Sequence, residues 1–499
     1  MIPTWIGALL LVVGIPIVLR QSLNAALLLI FIASLFGGSA ALQLPALGGS
    51  SIPPAYVALG LAGLQMLMRE RGFLITLGHA LRENAALAFF CIYGFATAFI
   101  LPHLFAGAFN VVPMQAKHPR WLFETLPLHF TSQNITTAVY MIGTLVAAIY
   151  GWTAGRRAEP GRFDLINIIL ITTWLDIIFA VIVFALTMVG QTALVEIVRN
   201  GAYAQLTNDY GGFSRITGFF PEASSFAAFS TPLLYVLTEA WLRDLKPRWT
   251  GPATVALLIV LMASTSSSAY VSIGALALIL FLRVLLFPNS LPPGKLARIV
   301  LFGLIAAALG IIAAALSPKA FDAVSDMLRH MTVEKATSAS GMQRKFWAQQ
   351  GLIAFAASHG LGIGAGSFRS SSLSTAILGS CGIIGLAAFT IYVVQFLRPL
   401  RASTYGASRA ITSEHQLMGI CAAWGAVGIL VPEQVGAPSP DPGLLFGVFA
   451  GFAIAARSGN FVGGAPQPAA ATYGTSPVGM PLPQRRVNVG YLGPQDSRS

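Results

Sequence analysis

Residues 164–189 have the sequence DLINIILITTWLDIIFAVIVFALTMV, in which Asp176 is the only charged side chain after the first residue. A run of about 20 apolar residues is long enough to cross a bilayer as a helix. This stretch therefore predicts a membrane-spanning helix. A carboxylate inside such a helix is costly, so Asp176 is a candidate for proton coupling of the kind that transporters use.

Similar stretches recur along the whole chain and predict an all-α polytopic membrane protein. Of the 499 residues, 55% are hydrophobic and only 10% are charged, a composition that soluble globular proteins do not have. We expect about 12 to 14 transmembrane helices. The predicted spans lie near 3–19, 23–45, 55–68, 85–106, 134–152, 164–189, 219–242, 251–264, 268–287, 299–316, 373–397, 412–431 and 442–457.

The basic residues are divided unevenly between the two sets of loops that alternate along these spans. One set carries 20 of the 30 Lys and Arg residues, and the other carries the remaining 10 together with nine carboxylates. Because loops rich in Lys and Arg face the cytoplasm, segments 190–218 and 317–372 are predicted to lie outside. The basic cytoplasmic loops thereby account for the net charge of +12, and no nucleic-acid partner is expected.

The polytopic domain is predicted to cover residues 1–457, with a large periplasmic loop at 317–372 inside it. Within that loop, apolar residues at helical spacing predict an amphipathic helix at 319–333, and a second helix is expected to begin after Ser340. Residues 458–499 are rich in Gly, Pro, Ala and Thr without periodicity, which predicts a disordered cytoplasmic tail. The three cysteines fall within predicted spans, where they form neither a disulfide pattern nor a metal site.

The first candidate site holds Arg215 and Glu222, which are seven residues apart where an external loop becomes a helix. A guanidinium binds a phosphate through two parallel hydrogen bonds. A carboxylate at a membrane face can act as a general base toward a sugar hydroxyl. The alternative is that the two residues pair with each other, or only mark the membrane interface.

The second candidate site surrounds a glycine-rich turn at 360–366, with the basic residues Arg344, Lys345 and Arg369 on either side. Glycines let backbone amides approach a ligand closely, and an arginine beside such a turn suits a diphosphate. The alternatives are a basic helix lying among lipid headgroups and an ordinary loop. His359 is a candidate general base, because histidine exchanges protons near neutral pH, or else a capping residue at a helix end.

At these residues the chain resembles the O-antigen polymerase/O-antigen ligase family, the Wzy-type glycan polymerases. The matching pieces follow one another in the family's order, and with the hydropathy profile they extend over roughly residues 130–460. The pieces are Arg215-x-x-Gly218-x-x-x-Glu222, a serine/threonine turn at 264–268, and Gln343-Arg344 opening a helix that leads to His359 and the glycine turn.

The resemblance implies a GT-C-like fold with a large periplasmic loop, and transfer of a glycan from undecaprenyl pyrophosphate to an acceptor without a metal or other cofactor. It implies that the pyrophosphate is bound by four basic residues, namely Arg215, Arg344, Lys345 and Arg369. Ligases and many polymerases of the family carry a His-Asn pair just after the glycine turn, where this chain has Arg369-Ser-Ser-Ser372. This departure leaves Glu222 or His359 as the catalytic base. It also makes the chain more similar to the exopolysaccharide polymerases of the family than to the lipopolysaccharide ligases.

The predicted function is therefore polymerisation of lipid-linked repeat units into exopolysaccharide or O-antigen at the periplasmic face of a bacterial inner membrane. The expected partners are the undecaprenyl-pyrophosphate-linked glycan, membrane lipids, a chain-length regulator and a flippase. Two alternatives stay open: a ligase that transfers the glycan to another acceptor, and a transporter or flippase for lipid-linked sugars. A transporter is expected to have inverted repeats and unwound helices with polar residues at mid-membrane, and the sequence shows neither clearly.

Overall fold

The long apolar stretches form α-helices, because a helix satisfies its own backbone groups where no water is present. The computed structural model of the chain describes residues 2–20, 22–44, 50–69, 72–114, 123–157, 164–201, 209–210, 213–287, 337–404 and 414–457, with a few isolated positions between 294 and 329. The chain divides into two units, Met1–Phe461 and Val462–Ser499. The predicted tail at 458–499 and nearly all of the predicted helix at 319–333 lie outside the described residues.

The helices are numbered in chain order. The first are α1 (Trp5–Arg20), α2 (Leu23–Ser34), α3 (Pro54–Arg69), α4 (Phe73–Glu83), α5 (Ala85–Leu104), α6 (Ser132–Arg156), α7 (Leu165–Met188) and α8 (Thr192–Val198). The later ones are α9 (Ala223–Leu242), α10 (Pro247–Ala263), α11 (Ser267–Leu286), α12 (Ala339–Ala357), α13 (Leu373–Thr404), α14 (Glu414–Glu433) and α15 (Leu444–Arg457).

The strands are short, and each pair is antiparallel. Strand β2 (Leu42–Leu44) lies between β1 (Ile2–Pro3) and β3 (Ser50–Ile52), with Leu42 opposite Ile52. Two further hairpins are formed by β4 (Asn110–Val111) with β5 (Leu126–Pro127), and by β6 (Asp209–Tyr210) with β7 (Phe213–Ser214).

Among the described residues, six helices are long and apolar enough to cross a membrane: α5, α6, α7, α11, α14 and residues Leu373–Arg398 of α13. Helices α1, α2, α10 and most of α15 are apolar but shorter. The predicted spans match helices over most of the chain, although the predicted span at 299–316 lies almost wholly outside the described residues. These helices make the chain a multi-pass α-helical membrane protein.

Helix α2 ends at Ser34, well before the predicted end of its span at residue 45. The reason is a close contact with a distant loop. The amide of Gly38 donates a hydrogen bond to the carbonyl of Phe219 over 2.8 Å, and a Cβ atom on Gly37 would lie 2.5 Å from the ring of Phe220. The chain leaves the helix here to pack against that loop and then enters β2.

Small residues allow the closest helix contacts in the bundle. Helix α15 packs along α6, where a Cβ atom on Gly451 would lie 2.1 Å from the carbonyl oxygen of Ala148, and one on Gly447 would lie 2.4 Å from that of Thr144. Membrane helices commonly associate through such small residues, because the backbones can then approach each other.

Candidate functional site

Several helix connections meet at one end of the bundle, which we call the site end; they include residues 105–112, 213–222, 264–266, 369–372 and 434–443. Backbone and side-chain hydrogen bonds join these connections. The amide of Arg369 donates to the carbonyl of Val112 over 3.0 Å, and the amide of Ser370 donates to that of Pro438 over 3.0 Å. Residues far apart in the sequence are therefore fixed next to one another.

A cavity of about 480 Å³ opens at the site end between α11, α12 and the start of α13. We call it the basic cavity, because two cationic side chains of α12 line it. Its volume falls in the range of small-molecule sites, roughly 300 to 1,000 Å³. It is lined by Ser267, Tyr270, Val271, Arg344, Lys345, Ala348, Ser371, Ser372, Gln434 and Val435.

Arg344 and Lys345 reach the basic cavity because α12 begins close to the start of α13. Helix α12 begins at Ala339, because the Ser338 side chain caps it by accepting a hydrogen bond from the amide of Gly341 over 3.1 Å; the predicted start after Ser340 was slightly late. Arg344 Nη1 donates to the carbonyl of Val435 over 3.1 Å, which holds the guanidinium against the α14–α15 connection.

Arg215 lies beside the turn that joins α10 and α11. Its Nη2 atom donates to the carbonyl of Thr265 over 3.0 Å. The turn is the serine/threonine turn predicted from the sequence, and Ser264 Oγ donates to the carbonyl of Leu261 over 2.7 Å within it. Ser267, two residues after Thr265, begins α11 and lines the basic cavity. The bond to Thr265 therefore holds Arg215 near the wall of the cavity that α11 forms.

Glu222 is the residue at which the loop from Arg215 becomes α9. Its backbone is extended, and its carbonyl accepts the first helical hydrogen bonds, from the amides of Ser225 and Phe226, each over 3.1 Å. Its carboxylate accepts a hydrogen bond from the Ser224 hydroxyl. The N-terminus of a helix carries a partial positive charge, which stabilises a carboxylate placed there.

Arg369 connects the two predicted groups of charged residues. Its guanidinium carbon lies 4.4 Å from the centroid of the Trp347 ring on α12. Burial lowers the pKa of Arg369, whereas the nearby carboxylate of Glu222 raises it and Arg344 lowers it again. Its Nε atom is buried and has no hydrogen-bond partner among the described residues. An arginine stays charged under these conditions, so Arg369 places a half-buried positive charge beside Glu222 and Arg344.

The structure thus brings Arg215, Glu222, Arg344, Lys345 and Arg369 to one end of the bundle.

His359 is not brought to this group. It is exposed and follows the far end of α12, so at 1.5 Å per residue the helix separates it from Arg344 by about 20 Å.

The glycine turn serves packing, which differs from the expectation that its amides approach a ligand. The amides of Ile363 and Gly364 donate to the carbonyls of Gly379 and Ser380 on α13 over 2.8 and 2.9 Å. Gly362 has a φ of +83°, and a Cβ atom there would lie 2.6 Å from the backbone of Ser380. Glycine is required here by the close approach of the turn to α13.

Arg199 is a site-end residue that was not singled out from the sequence. It is 7% exposed, and its Nη2 atom donates to the carbonyl of Gly218 over 2.6 Å and to the hydroxyl of Thr217. Burial lowers the pKa of Arg199 to about 10. These bonds hold the turn that lies between Arg215 and Glu222. Its role depends on burial, which a single arginine in a polar loop does not reveal.

Two carboxyl residues, one at the end of α14 and one in the α14–α15 connection, were also missed. Glu433 lines a second cavity of about 220 Å³, together with Phe229 and Pro442 among others. Asp441 accepts a hydrogen bond from the Thr144 hydroxyl over 2.7 Å. Burial raises the pKa of Asp441 to about 6, although the bond from Thr144 lowers it. Two carboxyls within ten residues of a Pro/Gly-rich connection were the signal available in the sequence.

Asp176 lies away from the site end, buried between α7 and α9. Its Oδ2 atom accepts a hydrogen bond from the Ser230 hydroxyl over 2.6 Å.

Helix α13 is interrupted at Gly382, where φ is 62° and ψ is −162°. The three cysteines are buried and free. In the part of the chain that the structure describes, no group of three or more His, Cys, Asp or Glu side chains is arranged to hold a metal ion.

The architecture defines a multi-pass α-helical membrane protein with a basic cavity at one end of its helix bundle. No protein-family model matches the chain, and no curated protein matches it.

Proposed function

We propose that the protein is a membrane glycosyltransferase that polymerises undecaprenyl-pyrophosphate-linked oligosaccharide repeat units at the periplasmic face of a bacterial inner membrane. The observation that carries the proposal is the gathering of four basic side chains and one carboxylate at the site end. These are Arg215, Arg344, Lys345, Arg369 and Glu222. Membrane lipids, a chain-length regulator and a flippase are the other proposed partners.

The basic residues suit a leaving group with several negative charges. When the bond between the donor sugar and the pyrophosphate breaks, charge develops on the phosphate oxygens. Fixed cations in a partly buried site stabilise such charge without having to reorganise. Arg344 and Lys345 line the basic cavity, and the half-buried Arg369 adds a positive charge close to Arg344 and Glu222. The pyrophosphate is proposed to bind in the basic cavity.

Glu222 is the proposed base. The acceptor hydroxyl oxygen attacks the anomeric carbon of the donor glycan, and the bond from that carbon to the pyrophosphate oxygen breaks. The hydroxyl proton passes to the Glu222 carboxylate. The pyrophosphate leaves with its negative charge and needs no proton, so one base is sufficient. His359 remains a predicted base, but its place beyond the far end of α12 gives this role no support.

A ligase that transfers the same donor to another acceptor would use the same residues, and only the acceptor distinguishes it. The transporter reading is favoured by the break in α13 at Gly382 and by the buried Asp176. However, the glycine turn fills the break, since a Cβ atom on Gly382 would lie 2.1 Å from the carbonyl oxygen of Gly360. The polymerase proposal therefore has the stronger structural basis.

The test is polymer formation in a strain that lacks the native gene. Arg344→Lys and Arg369→Lys keep the charge but lose the planar fork that binds a phosphate through two bonds. We expect each to reduce polymer roughly a hundredfold while single repeat units accumulate. Arg248→Lys is the matched control, because Arg248 is exposed near the opposite end of the bundle, at the start of α10.

Normal chain lengths together with normal transfer to the final acceptor in both arginine variants would contradict pyrophosphate binding at this site. Loss of lipid-linked repeat units from the periplasmic leaflet, in place of their accumulation there, would indicate a flippase. Normal polymer on the lipid carrier with no transfer to a final acceptor would indicate a ligase.

A further inference from the structure

Helix α12 and the chain that follows it form a hairpin against the first half of α13. Near the start of both helices, the Ser371 hydroxyl donates to the carbonyl of Arg344 over 2.5 Å. At the far end of α12, the amide of Ile383 donates to the carbonyl of Gly360 over 3.1 Å. Helix α12 therefore runs in the same direction as α13, and residues 361–372 return to the site end.

The direction of α13 determines how deep this hairpin lies. Residues Leu373–Arg398 form one of the helices that can cross a membrane. At 1.5 Å per residue, Gly382 lies about 13 Å along that helix from Leu373. We call residues 358–361 the tip of the hairpin. Since Gly360 contacts the chain at Gly382, the tip lies about as far from the site end as Gly382 does. A helix parallel to a membrane-crossing helix cannot lie flat on the membrane surface.

The returning chain is irregular, yet its polar backbone groups are satisfied inside the protein. Residues 362–368 are all buried. The amide of Gly362 donates to the Ser358 hydroxyl over 2.8 Å, and the carbonyl of Ala365 accepts from the Asn134 side chain over 2.9 Å. Irregular backbone at membrane depth is tolerated only where protein or a water-filled cavity satisfies it in this way.

The exposed stripe of α12 changes from polar to apolar along the helix. Near the basic cavity it carries Lys345 and Gln349. Towards the tip it carries Leu352, Ile353 and Leu361, which are 49%, 51% and 44% exposed. Between Lys345 and Arg369 the chain has no Asp, Glu, Lys or Arg. This gradient is typical of a segment that begins at the headgroups and enters the hydrocarbon.

The apolar end of the stripe continues onto α13. Ile383 and Ile384 come directly after the break at Gly382 and are 55% and 42% exposed. Because Ile383 is bonded to Gly360, these side chains and Leu361 belong to one apolar surface. His359 is also exposed at the tip.

We propose that α12 and residues 358–372 form a re-entrant hairpin whose apolar outer surface contacts the acyl chains of the bilayer. The segment 338–372 is then not an external loop along its whole length. Its basic start lies at the membrane surface, and its tip lies in the hydrocarbon. This inference does not depend on the proposed enzymatic activity, because it rests on the packing of α12 against a membrane-crossing helix.

The test is a depth measurement with nitroxide labels on single introduced cysteines, in vesicles of phosphatidylethanolamine and phosphatidylglycerol. The native cysteines are buried, and the labelled parent protein gives their background. The probes are Leu352→Cys and Leu361→Cys on the hairpin and Lys345→Cys at its start. The references are Ile391→Cys, exposed on α13, for lipid, and Ser340→Cys, exposed at the start of α12, for water.

At positions 352 and 361 we expect collisions with oxygen as frequent as at position 391, and collisions with a water-soluble nickel chelate several-fold fewer than at position 340. Position 345 is expected to behave like position 340. Nickel collisions at 352 and 361 equal to those at 340 would overturn the proposal, because α12 would then lie in water. Protection of both positions from oxygen and nickel alike would also overturn it, because protein would then cover this surface.

Discussion

The guanidinium of Arg369 lies over the ring of Trp347, with 4.4 Å between its central carbon and the ring centroid. The two residues belong to different elements, since Trp347 is on α12 and Arg369 ends the chain that returns from the hairpin. An arginine stacked on an aromatic ring is held in one plane and presents its free edge in one direction. Trp347 therefore orients the guanidinium that we propose to bind the pyrophosphate.

Replacing this ring should reduce activity through Arg369. A cation–π contact at a partly exposed site contributes about 1 kcal/mol, so we expect Trp347→Leu to lower polymer synthesis roughly fivefold. Trp347→Phe keeps an aromatic face and should retain most of the activity. The measurement is the initial rate of polymer formation in membranes with matched protein levels. Equal rates for the Leu variant and the parent would show that the ring does not orient Arg369.

Changing the proposed base should leave the fold intact and stop the reaction. Glu222→Gln keeps the shape of the side chain but cannot take up a proton, so we expect a loss of at least about a hundredfold in rate. Ser224→Ala is the control, because it removes only the hydroxyl that donates to this carboxylate, and its effect should be much smaller. Chain lengths close to normal in the Gln variant would exclude Glu222 as the base.

The buried Arg199 should support both stability and activity. Arg199→Met removes the donor to the Gly218 carbonyl, which keeps only a long bond of 3.4 Å from the Thr217 hydroxyl, and we expect this to cost about 1 to 3 kcal/mol. We expect lower thermal stability and loss of polymer, with partial recovery of both in Arg199→Lys. Thermal unfolding of the detergent-solubilised protein measures the first effect. Unchanged unfolding of the Met variant would mean that these hydrogen bonds do not stabilise the turn.

Asp441 should make the stability of the protein depend on pH. Its pKa is raised by burial to about 6, from 3.8 for an ordinary aspartate, so the folded state favours the protonated form. The resulting stabilisation is fully present below about pH 4 and is lost as the pH rises through 6. The difference is on the order of 3 kcal/mol. Asp441→Asn should remove this part of the pH dependence, as measured by unfolding between pH 4 and 7. An unchanged profile would show that Asp441 is not the titrating group.

The contact between α6 and α15 offers a test of the packing. Gly451→Ala would place a methyl group 2.1 Å from the carbonyl oxygen of Ala148, so the helices must separate, and we expect a loss of about 1 to 3 kcal/mol in stability. Gly274→Ala on α11 is the matched control, because nothing lies within 4 Å of a methyl group there. Equal unfolding temperatures for the two variants would contradict the close contact.

The sequence predicted the helices well where one physical requirement dominates. Residues 164–189 were predicted as a span and form α7, because an apolar run in a membrane can satisfy its backbone only as a helix. The early end of α2 was not predictable. It depends on Gly37 and Gly38 meeting Phe219 and Phe220, which are far away in the sequence.

For the candidate site, the chemistry of the residues indicated which side chains could act together. The relative directions of the helices in the fold decided which of them are close in space. Arg369 and Glu222 were in separate motifs and are electrostatic neighbours in the structure. His359 was in the same motif as Arg344 and lies at the other end of α12. The direction of α12 relative to α13 is set by bonds between distant residues, such as the one from Ile383 to Gly360, and no local pattern encodes it.

The three glycines of the turn, Gly362, Gly364 and Gly366, all have positive φ and touch neighbouring backbone or proline atoms closely. No other amino acid fits at these positions without moving α5, α6 or α13. Natural variants should therefore keep these three residues, and the single-residue spacing between them, even where the surrounding chain has changed beyond alignment. Distant relatives of this protein should be recognisable by that spacing next to an arginine three residues later.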